Sequence, residues 1–333
     1  MNATETIPAT QRTITSLRAY PQSWYLVARS KHLRPAGILS LDFLGHSIVL
    51  FRTRTNSIHA LDAHCAHMGA HLGKGQVIED CLRCPLHHWT YDTTGQCAAM
   101  PNSKGQRTWP VEERFGNIFI FNGPRPLFPL PSFESTGDTL RTKIGRPVTI
   151  RCPWVAVVAN AFDMQHLNVV HGRALIEEPI VEQPDSHRLR LRYRSRVTGK
   201  SLADMLTKWL SKNEINVTIT CWGGTILTVE SQVGRAKTTM FLGIMPGDNS
   251  VTATPIFGTQ KSRFPGWDWL KVRITAWLFS HFMQKDVSIV EDMRFKVVMN
   301  DLPVGSPLRL FLDFLDHLPA EDGGKNVPRG TFC

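Results

Sequence analysis

Short apolar runs dominate the first third of the chain. Trp24–Ala28, Ser47–Arg52, Ser57–Leu61 and Ile118–Phe121 are separated by Gly and polar residues. Runs of this length bounded by turn formers predict a small antiparallel sheet domain. A Pro-rich passage, Gly123–Pro131, follows. Proline fixes φ and donates no ladder hydrogen bond, so this stretch reads as a linker or inter-domain crossing. Beyond it the runs lengthen. Arg188–Val197 alternates basic and apolar residues, and Asn216–Val233 and Thr238–Ile244 are rich in β-branched residues. These are expected strands of a larger antiparallel sheet. The pattern shifts towards helix between Ala156 and His171, and again from Pro265 to about Val298, with Pro265 suited to a helix start. The expected fold class is α+β. A small all-β domain occupies 20–125, a second domain 126–333, and residues 1–19 form an arm packed on the rest.

Composition narrows the class. The chain has 333 residues, 42% of them hydrophobic and 20% charged, enough to build a globular core. The net charge of +10 is spread out, without a tight Lys/Arg run, which disfavours nucleic acid and leaves an acidic protein partner open. Met1–Ser16 is polar and lacks the apolar core of a signal peptide. The most apolar helical stretch, Trp267–Met283, is broken by Asp268, Lys271, Arg273 and His281, so no spanning helix is expected. Seven cysteines, an odd number, argue against a secreted disulfide scaffold and for a reducing cytoplasm. Cys81 and Cys97 could brace a loop as a disulfide, with buried free thiols the competing reading.

The chemistry concentrates in two places. The first is Cys65-Ala-His67 followed by Cys84-Pro-Leu-His87. Each short loop offers one thiolate and one imidazole. Zinc also accepts two Cys and two His, but zinc sites usually group like ligands. A Rieske [2Fe–2S] cluster places two Cys on one iron and two His on the other, so each mixed loop serves both irons. The surrounding sequences, Cys65-Ala-His67-Met-Gly-Ala-His-Leu-Gly-Lys-Gly75 and Cys84-Pro-Leu-His-His-Trp89, closely resemble the N-terminal domain of Rieske non-haem iron oxygenases. The second loop of that family usually has Gly where this chain has His88, a variant closer to the aminopyrrolnitrin oxygenase branch. His64, His71 and His88 read as loop residues, and Trp89 as an apolar shield over the cluster.

The second place is Asn160-Ala-Phe-Asp163-Met-Gln-His166-Leu-Asn-Val-Val-His171. Two His on one helical segment can aim at one point, although a spacing of five residues calls for a bulge or a helix end. Non-haem Fe(II) oxygen chemistry needs two His and one carboxylate on one face of the metal. Asp286, Glu291 and Asp292 are the carboxylates available near the end of the long C-terminal helix. The resemblance implies Asp286, since Gln284-Lys-Asp286-Val-Ser-Ile-Val-Glu291 is similar to the family's ligand segment. Asp163, one turn before His166, is placed to accept a proton from a His ligand. The resemblance further implies that Asp163 bridges to a Rieske His, here His87, of the next subunit in a ring-shaped homotrimer, and that Asn160 lies near the iron.

The resemblance therefore implies a helix-grip catalytic domain, one [2Fe–2S] cluster and one mononuclear Fe(II) per chain, and O₂ as co-substrate. Electrons would come from NAD(P)H through a separate flavin-dependent reductase, with or without a ferredoxin. The substrate would be apolar, aromatic or polycyclic, oxidised by hydroxylation, demethylation, desaturation or N-oxygenation, with the arylamine and the steroid or sterol monooxygenase branches the two that fit best. Phe162, Leu167, Val170, Trp222, Leu227, Phe241 and Ile256 are candidate pocket walls, with ordinary core packing as the default for each. The apolar segment Pro307–Leu318 is expected to pack in the core or at an interface, with a membrane contact the lesser reading. The alternatives are a Rieske electron-transfer protein with a non-catalytic binding domain and a zinc-binding regulator.

Overall fold

Alternation of apolar and polar residues turns into three small sheets among the described residues of the N-terminal part. The computed structural model describes residues 13–14, 19–97, 105–133, 140–234 and 236–321. One sheet orders the strands Thr108–Trp109, Ile58–Asp62, His46–Arg52 and Ile38–Phe43, and a second orders Val111–Arg114, Asn117–Phe121 and Trp24–Arg29. The third, formed by Gln76–Ile78, Cys81–Arg83 and Thr90–Tyr91, stands apart and carries the second Cys/His loop on the turn between its last two strands. All pairings within these sheets are antiparallel. The four sequence-predicted runs fall on strands of the first two sheets.

The second part is built on one antiparallel sheet of nine strands. Its centre is a meander in chain order: Arg188–Val197, Ile215–Trp222, Ile226–Val233, Ala236–Pro246 and Val251–Gln260. Arg188–Val197 matches its sequence prediction, because buried and exposed residues alternate strictly over most of its length. The apolar run Asn216–Val233 divides into two strands at Gly223 and Gly224, whose φ values of +52° and +81° suit a hairpin turn. A Cβ on Gly223 would stand 2.4 Å from the Ser23 Oγ, so this turn also has to be bare where it meets the N-terminal part.

Among the described residues, five α-helices accompany this sheet: α1 (Trp154–Asn160), α2 (Met164–Val169), α3 (Leu202–Ser211), α4 (Pro265–Val290) and α5 (Pro307–Asp316). The helical pattern of 156–171 is thus two short helices and not one. Asp163 accepts hydrogen bonds from the N–H groups of Gln165 and His166 as the N-cap of α2, which starts a new helix there. Helix α4 ends eight residues before the predicted limit at Val298. Asp292 there takes φ of +60°, donates its N–H to Arg151 O, and pairs its carboxylate with the Arg151 guanidinium at 2.9 Å. Helix α5 buries Phe311, Leu312, Phe314 and Leu315 in the main core, so the apolar segment 307–318 packs inside the chain. Of the expected N-terminal arm, Thr13–Ile14 pairs with Val297–Val298. Residues 1–12 and 15–18 lie outside the described residues.

The two parts share a core. Trp24, Leu26, Phe119 and Phe121 pack with Trp222, Ile226, Phe241 and Ile256, and the Pro-rich passage contributes Phe128 and Leu130 to the same cluster. The Trp24 indole N–H donates to Phe128 O at 2.9 Å, which pins that passage across the junction. Phe241 is fully buried and meets Phe119 edge to face at 5.5 Å. Truncating a buried Phe costs about 3–5 kcal/mol. Phe241→Ala is therefore expected to lower the denaturation midpoint strongly, with cluster absorbance and tryptophan fluorescence lost together. Separate transitions would show that the junction does not couple the two parts.

Candidate metal centres

Two tight loops converge in the N-terminal part. In the first, Cys65 N–H donates to Ala70 O and Gly69 N–H to Cys65 O; in the second, Cys84 N–H donates to Trp89 O. The Gln106 side chain bridges to the first loop, accepting from Ala66 N–H and donating to the carbonyls of Asp62 and His64. Like groups then meet across the loops. The Nδ1 atoms of His67 and His87 lie 3.1 Å apart, and the Cys65 and Cys84 thiols interact with each other. Both cysteines are buried, whereas both histidines are exposed. The Trp89 ring stacks on His67 at 4.1 Å, covering one side of that imidazole. Burial pushes the Cys84 thiol up from its ordinary pKa. A cationic centre would offset this, since metal coordination removes the proton outright. Two thiols at one end and two imidazoles at the other fit the donor set of a Rieske [2Fe–2S] cluster.

Sequence reasoning missed Tyr91, whose hydroxyl is 3.0 Å from Cys65 Sγ. Its position two residues after Trp89 on an emerging strand was the available signal. Cys81 and Cys97 are free thiols, not a disulfide. His64 and His71 face each other at 5.3 Å outside the Cys/His set, and His71 Nδ1 accepts from Gly73 N–H. His88 takes a left-handed φ of +61°, which accounts for the glycine that commonly stands in such loops. His88→Gly is expected to raise stability by about 1 kcal/mol, read from the denaturation midpoint. An unchanged or lowered midpoint would mean that the imidazole itself supports the loop.

The second site is a three-residue focus. His166 Nε2 and His171 Nε2 each lie 2.7 Å from Asp286 Oδ1 and 3.0 Å from each other. His166 projects from α2, His171 follows its end, and Asp286 sits on the last turns of α4. The end of α2 at Val169, ahead of His171, is what lets a five-residue spacing aim both imidazoles inward, the helix end that the spacing calls for. Cis ligands at metal bond lengths of about 2.1 Å stand about 3.0 Å apart, so the three donors fit one face of an octahedral ion. Burial opposes ionisation of Asp286, but its contacts with His166 and His171 outweigh this and hold the carboxyl below its ordinary range. Burial lowers the His171 pKa, which favours the neutral, ligating imidazole. The Asn160 amide approaches both His166 Nε2 and Asp286 Oδ1 at 3.1 Å. Glu291 and Asp292 instead pair with Arg151 on the surface. Asp163 caps α2, its Oδ1 accepting from the N–H groups of Gln165 and His166.

Two supports were not read from sequence. Phe282, one turn before Asp286, stacks on His171 at 3.5 Å. Arg173 donates to the His171 carbonyl and pairs with Asp204 at 2.8 Å in a buried clamp. Asp204 in turn forms a capping box with Ser201 at the start of α3.

The focus opens on a cavity of about 590 Å³ with mostly apolar walls. Strand parity selects them. Leu227, Val229, Ser231 and Val233 face the cavity from one strand, and Thr238, Met240 and Leu242 from the next. Trp222, Phe241 and Ile256 have the opposite parity and belong to the shared core, so they are not walls. Phe162 stacks on Phe311 in the main core, and Leu167 and Leu227 are the expected walls that line the cavity.

Comparison with known proteins fits this architecture. Residues 23–110 match the family model of the Rieske [2Fe-2S] domain. The chain is 31% identical over 183 residues to cholesterol 7-desaturase nvd of Bombyx mori, covering 51% of this chain and 40% of that protein. It is 32% identical over 168 residues to aminopyrrolnitrin oxygenase PrnD of Pseudomonas fluorescens, covering 45% and 46%. The matches thus span less than half of these relatives' length. In fold, the chain is similar to NdmA of Pseudomonas putida CBB5 with caffeine, at a TM-score of 0.63 and 21% identity over 89% of each chain. It is also similar to apo dicamba monooxygenase, at 0.61 and 18% identity over 91% of this chain and 98% of that one. The N-terminal part is a Rieske [2Fe–2S] domain. The likeness to these solved structures extends over most of the chain and is one of fold.

The Arg173–Asp204 clamp gives a further test. Burial opposes ionisation of Asp204, but hydrogen bonds from Ser201 and Arg173 hold its pKa below the ordinary 3.8. Its contribution is fully present above that value and lost as pH falls through the lower folded value. Removing one partner of a buried pair costs about 3–5 kcal/mol. Asp204→Ala is expected to lower stability by that order at neutral pH and to flatten the acid limb of the stability profile. An unchanged acid limb would assign that limb to other carboxylates.

Proposed function

We propose that this chain is the oxygenase component of a Rieske non-haem iron monooxygenase system. One observation carries the reading: His166, His171 and Asp286 converge on one point at the edge of a large apolar cavity, in a chain that begins with a Rieske domain. A Rieske electron carrier with a passive binding domain has no use for that focus. When bound, the [2Fe–2S] cluster and the mononuclear Fe(II) supply one-electron transfer and reductive activation of O₂.

In this reading Cys65, His67, Cys84 and His87 hold the cluster, and His166, His171 and Asp286 hold the mononuclear iron from one side. The other side faces the cavity and is open to O₂ and substrate. The apolar walls exclude water and bind an apolar aromatic or polycyclic molecule, a class in keeping with the names of the relatives. Phe282 and the Arg173–Asp204 clamp fix the plane and position of His171. Residues 20–125 act as the electron-receiving domain and 126–333 as the catalytic domain, with a cytoplasmic reductase, with or without a ferredoxin, as donor.

The assembly is a homotrimer in which Asp163 of one subunit faces His87 of the next. Exposure at both ends supports this. His67 and His87 are flanked by exposed Met68 and Leu86, and α2 carries Val169 at 82% exposure. Asp163→Asn keeps an N-capping side chain and removes the charge. It is expected to fold and reduce its cluster normally while product formation falls at least about tenfold, the usual scale for loss of a hydrogen bond behind a metal ligand. Unchanged turnover would remove Asp163 from the electron path.

Iron content tests the whole proposal. The intact chain is expected to hold one cluster and one further iron, and His171→Ala to lose that further iron while keeping the visible absorption of the cluster. Oxygen gain or hydrogen loss in products, by mass, from a panel of steroids, arylamines and aromatic ethers with NAD(P)H and a reductase would identify the reaction. Substrate oxidation that survives His171→Ala would refute the oxygenase assignment.

A further inference from the structure

Helix α3 is built inside out. The residues it buries are small or polar: Ala203, Asp204, Thr207 and Ser211. Its solvent face carries Leu202 at 80%, Met205 at 59% and Trp209 at 77% exposure, positions spaced as one helical stripe. Helix α4 lies against α3 and repeats the arrangement in its first half. Trp267, Leu270 and Trp277 are 55%, 41% and 49% exposed at spacings of three and seven residues, with Phe264 exposed just before the helix. Singly exposed apolar residues need no explanation, but two adjacent outward stripes with three tryptophans do.

Two features say what covers this face. The first is charge. Over 200–212 and 261–277 the acidic residues are Asp204 and Asp268, both 4% exposed. Lys208, Lys212, Lys261, Arg263 and Arg273 surround the apolar stripes and are exposed. A second copy of the chain across a two-fold axis would set these like charges against each other. Tryptophan beside Lys and Arg on an amphipathic surface is the composition of helices that lie in the headgroup region of an anionic bilayer. No described helix is long and apolar enough to cross a membrane, so such a contact would be peripheral. The second feature is the cavity. Leu210 and Trp267 line it and are also solvent-exposed, at 39% and 55%. The apolar face therefore surrounds the place where the cavity comes to the surface.

We propose that the α3–α4 face docks on anionic lipid bilayers and draws apolar substrate from the membrane into the cavity. The docking stands on the surface alone; substrate uptake rests on the oxygenase reading above. Lys and Arg supply attraction to the lipid charge, and Trp209, Trp267 and Trp277 seat in the interface. An apolar molecule then passes between Leu210 and Trp267 without crossing bulk water.

Vesicle co-sedimentation of the full-length, iron-loaded chain tests the docking without turnover. Phosphatidylcholine vesicles with and without phosphatidylglycerol would be compared at low and high salt. The chain is expected to partition onto phosphatidylglycerol vesicles and to release as salt rises. Met205→Ser with Trp209→Ser, neither of which lines the cavity, is expected to weaken partition at least about tenfold. Lys208→Glu with Lys212→Glu is expected to abolish the preference for phosphatidylglycerol. Unchanged cluster absorbance and denaturation midpoint in these variants would show that they fold. Absence of partition for the native chain, or equal partition of the Met205/Trp209 variant, would overturn the proposal. So would loss of an oligomer in that variant without any vesicle binding, which would make the face an interface between copies. Loss of the mononuclear iron or of turnover bears on the oxygenase reading and leaves this result standing.

Discussion

Three lone-pair donors held within 3.0 Å of one another are the constraint around which the second half of this chain is arranged. Neutral imidazoles and a carboxylate do not collect at such distances in a half-buried place without a shared proton or a cation to hold them. The fold supplies the scaffold for that crowding from several directions. The capped start of α2 aims His166, the buried Arg173–Asp204 pair ties down the carbonyl of His171, and the far end of the longest helix delivers Asp286. Phe282 closes the remaining side of His171 by stacking. Remove the focus and the short α2, the break before it and the buried ion pair lose their common purpose.

The two candidate centres solve different problems with related means. At the first, burial of the thiols and exposure of the imidazoles give the site a polarity: one end sealed in protein, the other facing outward. An electron carrier needs such an exposed edge, since transfer requires close approach by a partner. At the second, the donors turn inward to a mostly apolar cavity. The shared aromatic core around Trp24 and Phe241 fixes the two parts relative to each other, and the Pro-rich passage is part of that core and not a loose tether.

Much of this was legible in the residues, for physical reasons that differ from place to place. The Cys/His loops could be read because ligand spacing on a tight loop leaves few geometries. Arg188–Val197 could be read because alternation is unambiguous in a half-exposed strand. The division of 156–171 could not, since Ala161, Phe162 and Asp163 are compatible with a continuing helix and only the capping role of Asp163 ends it. The end of α4 depended on Arg151, more than a hundred residues away, drawing Glu291 and Asp292 outward. Composition left Trp222, Phe241 and Ile256 as candidate walls with core packing as the default, and strand parity, which composition does not carry, puts them on the core side of the sheet. The inverted face of α3 escaped notice because an apolar stripe in sequence is ordinarily a buried one.

Helix α4 lines the cavity from Trp267 to Val290 and carries Asp286 near its far end. At 1.5 Å per residue, Trp267 and Asp286 are roughly 28 Å apart along its axis. On the proposed reading, a reacting molecule therefore meets lining side chains along much of that length. Selection is spread along that length, and a long, narrow, rigid molecule can be gripped over most of its body while only its leading end meets the reactive centre. On the proposed oxygenase reading, which atom reacts then becomes a question of how far in the molecule can slide, set by side chains far from Asp286.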